Sequence, residues 1–179
     1  SVDGVAHAKS LGFKVIVTDH HLPPNTLPAA DAIVNPNQQG CEFPSKNLAG
    51  VGVIFYLLSA LRSRLRQLNW FVEQTIVEPN MASYLDLVAL GTVADVVPLD
   101  RNNRTLVHQG IQRVKAGKAR PGILALLEVA GKNYQRLTSQ DFGFIVGPRL
   151  NAGARLDDIT LGNQLHLIPI RCCRLPPLF

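Results

Sequence analysis

Charge is thin in this chain: Asp, Glu, Lys and Arg make up 17% of its 179 residues, against 46% hydrophobic. That balance excludes a disordered polymer and leaves enough apolar side chain for one sizeable core. Cysteine is scarce as well. Cys41, Cys172 and Cys173 show neither a metal-ligand spacing nor a disulfide framework, since adjacent cysteines bridge poorly. No apolar run is long enough to cross a bilayer, and the opening residues, with Asp3 and Gly4, lack a basic-then-apolar signal. The expectation is a cytoplasmic protein with no membrane partner. Base outweighs acid between Asp100 and Arg136, where Arg101, Arg104, Arg113, Lys115, Lys118, Arg120, Lys132 and Arg136 stand against only Asp100 and Glu128. Such a stretch either attracts polyanions or forms a solvated helix face.

What the chain does have is a conspicuous polar cluster. In "KVIVTDHHLPPNTLPAADAIVNP", residues 14–36, Asp19, His20 and His21 follow an apolar β-branched run. The residues alone leave two readings, a solvated turn after a buried strand or a metal or acid–base site. Around them the pattern predicts a short helix from Val2 to Leu11 stopped by Gly12, a buried strand over 14–18 and a second strand over 32–35. Val51, Ile54, Phe55, Leu58, Leu61, Leu65 and Leu68 recur at helical spacing and predict an amphipathic helix over 49–68, with Arg62 and Arg66 on its wet side. Further helices are expected near 80–90, 101–116, 121–130 and 139–146. The fold class is therefore α/β with a parallel sheet, in which ligands bind beyond the carboxyl ends of the strands, where Asp19, His20 and His21 sit.

A second carboxylate stands out in "LDLVALGTVADVVPLDRNNR". Asp95 lies among Val93, Ala94, Val96 and Val97, so it is either an exposed cap or a buried group in need of a cation or a donor. Imidazole nitrogen with carboxylate oxygen suits divalent manganese, zinc or iron, with magnesium held chiefly through oxygen.

The segments "VIVTDHH", "LPAADAIVNPNQ", "FPSKNLAGVGVIFYLL", "DLVALGTVADVVPL", "RPGILALLEVAG" and "GPRLNAGARLDD", in that order, resemble the DHH phosphoesterase superfamily, and within it the single-stranded-DNA-specific exonucleases. The likeness runs through nearly all of residues 1–162. It implies 5′-to-3′ hydrolysis of phosphodiester bonds in single-stranded DNA during recombination and repair, at a two-metal manganese or magnesium centre. Carboxylates and imidazoles are what such a centre requires. By the resemblance, His20 and Asp95 are metal ligands and Asp19 orients an imidazole or anchors the strand end. His21 ligates or meets the scissile phosphate, while Arg149, Asn151 and Arg155 hold the DNA backbone. Single-stranded DNA is the implied partner, together with replication and repair proteins in the complete enzyme.

The family's opening aspartate motifs are expected upstream of Ser1. Asp3 is not a candidate ligand, because "SVDGVAHAKSLG" matches the helix after the family's Val-Asp-Asn-Gly motif. Residues 1–162 are thus expected to form a DHH domain without its N-terminal strands, followed by helices, and to be inactive alone. Near residue 151, Gly153 and Ala154 stand in the reverse of the family's order. The tail, residues 163–179, has no acid and contains Pro169, Pro176 and Pro177; it reads as out of frame or truncated, and His166, Cys172 and Cys173 are not expected to form a site. Two function classes stay open. One is part of such an exonuclease, or of a sibling DHH phosphodiesterase of short oligonucleotides; the other is a non-catalytic remnant or DNA-binding scaffold.

Overall fold

Glycine and aspartate punctuate the first elements. Helix α1 (Val2–Ser10) begins under Ser1, whose Oγ accepts the Gly4 N–H at 3.1 Å, and ends before Gly12, whose φ of 83° lies in the left-handed region open to glycine. Strands β1 (Ile16–Thr18) and β2 (Ala32–Val34) then pair in parallel, with Val17 opposite Ile33. The computed structural model describes residues 1–156, apart from the side chains of 153–156. The expected boundary at 162 and the tail 163–179 lie outside the described residues. The chain divides into two units, Ser1–Tyr84 with Val97–Thr105, and Leu85–Val96 with the residues from Leu106 onward.

In the first unit, Asp31 staples α1 to the start of the sheet. Its Oδ2 accepts the Val15 N–H at 2.8 Å, while Lys9 Nζ lies 3.1 Å and Lys14 Nζ 3.6 Å from Oδ1. The Val15 hydrogen bond and the Lys9 and Lys14 ammonium groups pull the Asp31 carboxyl down to about 2 from its ordinary 3.8.

Strand β1 is shorter than expected and is not buried, with Ile16 65% exposed. Among the described residues its sheet has two strands, too few to cover both faces. No helix separates β1 from β2; residues 19–31 form the connection. Helix α2 (Gly50–Gln67) forms where its periodicity places it, yet its leucine stripe is not the packed face: Ile54, Leu58 and Leu61 are exposed, and Gly52 and Val53 are buried. The inner side is set by Val53, Tyr56 and Leu57, which line a cavity of about 480 Å³ with Ile33 and Val34 of β2. Arg62 and Arg66 both reach Glu78, the first through Nε at 2.6 Å. After the short helix α3 (Trp70–Glu73), a single 3-10 turn (Met81–Tyr84) completes this part of the unit.

The second unit is built on helix α4 (Leu85–Ala94), the C-terminal part of α5 (Arg101–Lys115), α6 (Pro121–Val129) and a helical run of α7 (Ser139–Asp141), a π turn (Phe142–Val146) and α8 (Gly147–Leu156). Ala89, Leu90, Val114, Ile123, Leu127, Leu137, Phe142 and Val146 form its core. Gly110 is where α4 and α5 touch, since a Cβ there would collide with the Leu85 carbonyl and the Ala89 side chain. Thr138 and Asp141 cap the last helical run reciprocally. Pro148 has no N–H to continue the α-helical ladder, and the Gly147 N–H instead reaches back five residues to Phe142 O. The segment "GPRLNAGAR" lies within α8.

Asp86 is fully buried in the first turn of α4. Arg120 answers it twice, through Nη1 to Oδ1 at 2.6 Å and through its backbone N–H to Oδ2 at 2.7 Å. Replacing Asp86 with Ala strands a guanidinium and a backbone donor, and the expected loss is about 3–5 kcal/mol of unfolding free energy in urea titration. Asp31, with its depressed pKa, contributes stability that is present above about pH 4 and is lost as pH falls towards 2. Asp31→Asn should flatten that limb of the stability profile, measured as denaturant midpoint against pH.

Candidate metal and phosphate site

Parallel strands leave their carboxyl ends pointing the same way, and here the polar cluster starts where β1 stops. The Asp19 N–H donates to Val34 O at 3.1 Å, one more rung beyond the ladder. The chain then turns over its own carboxylate: Asp19 Oδ1 accepts the His20 N–H at 2.7 Å, the His21 N–H at 3.1 Å and His21 Nδ1 at 2.7 Å. Burial alone would push the Asp19 carboxyl up, but the hydrogen bonds from His21 and His20 and the charge of His21 outweigh it and hold its pKa below the ordinary value. An ionised carboxylate only accepts, so Nδ1 of His21 carries the proton and Nε2 is the ring's ligating atom.

The His20 ring stacks obliquely on that of His21, centroids 4.2 Å apart, and lies against the first residue of α2, where a Cβ on Gly50 would sit 3.5 Å from its Cδ2. Asp19, His20 and His21 bring one ligand atom each within 4.8 Å of the others. Two imidazoles and a carboxylate suit a divalent transition metal in donor type. The start of an 18-residue helix without a side-chain cap, beside His20, adds unpaired N–H groups and a positive dipole end suited to phosphate.

Behind the turn stand two residues of the "NPN" run that follows β2, neither of them among the expected site residues. Asn35 Nδ2 donates to His21 O at 2.8 Å, and Asn37 Nδ2 donates to His20 O at 2.7 Å. Two asparagines flanking a proline at a strand end were the available signal, because their amides seek nearby backbone partners.

Asp95 lies in the second unit and is exposed in the turn that ends α4, its N–H donating to Gly91 O at 3.0 Å. Ala94 and Val96 beside it are exposed too, with Val96 at a φ of 57°, so the segment is a helix stop and not a buried carboxylate environment. The buried acid of that stretch is Asp86. Arg149 and Asn151 are exposed on α8, where two residues of separation put them on different faces; Arg149 Nη1 donates to Ile145 O at 2.9 Å. Arg155 falls in the last turn of α8, with its side chain outside the described residues. Of the basic stretch, Arg120 is paired with Asp86 and Lys132 with Asp141, while Arg101, Arg104, Lys118 and Arg136 are exposed.

Residues 1–92 match the DHH family, N-terminal domain. The single-stranded-DNA-specific exonuclease RecJ of Escherichia coli (strain K12) is 65% identical over 164 residues, which are 92% of this chain and 28% of that protein. Its counterpart in Thermus thermophilus is 37% identical over 158 residues, 87% of this chain and 21% of that protein. The crystal structure of exonuclease RecJ bound to manganese superposes with a TM-score of 0.68 at 33% identity, covering 92% of this chain and 42% of that one. That of Thermus thermophilus RecJ in complex with Mg2+ gives 0.65 at 34% identity, covering 88% of this chain and 21% of that one. The chain thus spans about 28% of the length of the Escherichia coli relative.

Removing the Asp19 carboxylate should release the His21 ring. In Asp19→Ala the imidazole nitrogen shifts of His21 are expected to move from the Nδ1–H towards the Nε2–H tautomer, as histidine-labelled NMR above pH 8 would record; an unchanged tautomer would refute the assignment.

Proposed function

Because the chain belongs to the DHH family, we propose that it forms part of the catalytic core of a metal-dependent exonuclease that hydrolyses single-stranded DNA from a 5′ end in recombination and repair. The observation that carries this reading is the convergence of Asp19, His20 and His21 at the carboxyl end of a parallel strand, within reach of one cation. Manganese or magnesium, when bound, supplies Lewis-acid polarisation of a phosphoryl oxygen and a polarised water. His20 and Asp95 are the ligands assigned to this chain. Asp19 holds the His21 ring with Nε2 turned outward, so that His21 can ligate or receive the scissile phosphate. The uncapped start of α2 offers N–H groups to the same anion.

Arg149, Asn151 and Arg155 are the proposed contacts to the DNA backbone, and the exposed part of the basic stretch draws the strand in by diffuse attraction. The catalytic-core portion is taken as residues 1–162, with 163–179 a separate tail. The enzyme works in the cytoplasm beside replication and repair proteins.

The chain alone is expected to release no appreciable mononucleotide from 5′-labelled single-stranded DNA with manganese, because one cluster does not enforce two-metal geometry. Grafted into Escherichia coli RecJ in place of the matching segment, it should sustain activity. There His20→Ala and Asp95→Ala should each lower turnover by about 100-fold or more. Arg155→Ala should lower turnover on bound DNA, and replacing Lys115 and Lys118 should weaken binding and flatten its salt dependence. Near-parental turnover in either ligand variant overturns the ligand assignment.

A further inference from the structure

Every backbone polar group of the Asp-His-His turn from Asp19 N–H to His21 O, apart from the Asp19 carbonyl, has a named partner. The amides of His20 and His21 go to the Asp19 carboxylate, and their carbonyls go to Asn37 and Asn35. Water could satisfy carbonyls at an exposed turn, yet Asn35 is 6% exposed and spends both ends of its amide here, Nδ2 on His21 O and Oδ1 on the Asn37 N–H at 2.9 Å. Asn37 is anchored in turn, its Nδ2 also donating to Lys46 O at 3.2 Å. Lys46 Nζ closes the clip on Pro36 O at 2.7 Å and Cys41 O at 2.6 Å. Pro36, buried between the asparagines, fixes one backbone dihedral of the segment that presents them.

We propose that Asn35 and Asn37 are positioning residues that set the direction of the His20 and His21 imidazoles toward a divalent cation. The inference rests on the metal-facing reading given under Proposed function. The peptide planes on either side of each histidine fix its Cα–Cβ direction: Asn37 and Asp19 hold the His20–His21 plane from its two edges, and Asn35 holds the plane after His21, which Asp19 does not reach. The His20 ring lies against both Gly50 and the His21 ring, so a swing of its peptide changes the ring direction those contacts set. Ligands held in this way by partners behind them bind metal more tightly than the same ligands left free to turn.

The test is a Mn2+ titration of the full chain labelled with carbon-13 histidine, reading paramagnetic broadening of each imidazole. In the parent, His20 and His21 should broaden at lower Mn2+ than His7 and His108. Asn37→Leu, close in volume and without a donor, should need about tenfold more Mn2+ for the same broadening, with His7 and His108 at parental positions. Asn37→Gln, which retains the amide donor, should restore the parental midpoint. Asn37→Ser, small enough to admit a water, is the second variant should Leu disturb the fold, and the same increase is expected. If the parental broadening is selective but the Leu or Ser variant shows the parental Mn2+ demand while folded, the positioning role is overturned. If the parent shows no selectivity for His20 and His21, the metal-facing reading falls and this inference with it.

Discussion

One carboxylate oxygen organises the end of the sheet. Asp19 Oδ1 accepts two backbone amides and one ring nitrogen within three residues, so the direction of the chain after β1 and the tautomer of His21 are set by the same atom. Because these bonds form to the ionised carboxylate, they also hold it ionised. The remainder of the first unit reads as support for that turn. Asp31 locks the entry of β1 to α1, β2 supplies Val34 O and then the two asparagines, and α2 begins against the His20 ring.

The second unit solves a different problem. Its helices meet closely enough that Gly110 is the only residue type that fits where it stands, and a fully buried acid is kept among them by Arg120. A buried pair of this kind gains little over a well-packed apolar substitute, while half of it left alone is costly. That asymmetry makes Asp86 and Arg120 interdependent. The same pairing removes one charge from the basic stretch that composition alone would assign to polyanion binding.

Periodicity carried the helices well. The repeat from Val51 to Leu68 located α2, and Gly12 located the end of α1, because hydrogen bonding within a helix is local and leaves a local signature. It did not identify which face of α2 is packed: the stripe of Ile54, Leu58 and Leu61 is the apolar one, and the buried one carries Gly52 and Val53. Burial depends on what lies opposite, and that is a tertiary fact. The two readings that the residues left open for Asp95 divide on the same ground: its apolar neighbours in sequence are not apolar surroundings in space, because the segment is an exposed helix stop.

The amino-acid order by itself determined that a parallel α/β element ends in Asp19, His20 and His21, and it determined the family, because the chemistry-bearing residues are contiguous or fall in ordered blocks. Only the tertiary structure decided that Asp19 serves His21, that Asn35 and Asn37 hold the two histidine carbonyls, and that Asp86 is the buried acid. Each of these depends on hydrogen bonds made at the end of a folded element or between residues distant in sequence. A donor and an acceptor fourteen or seventeen residues apart, like those joining the asparagines to the histidines, meet only when β1 and β2 have paired.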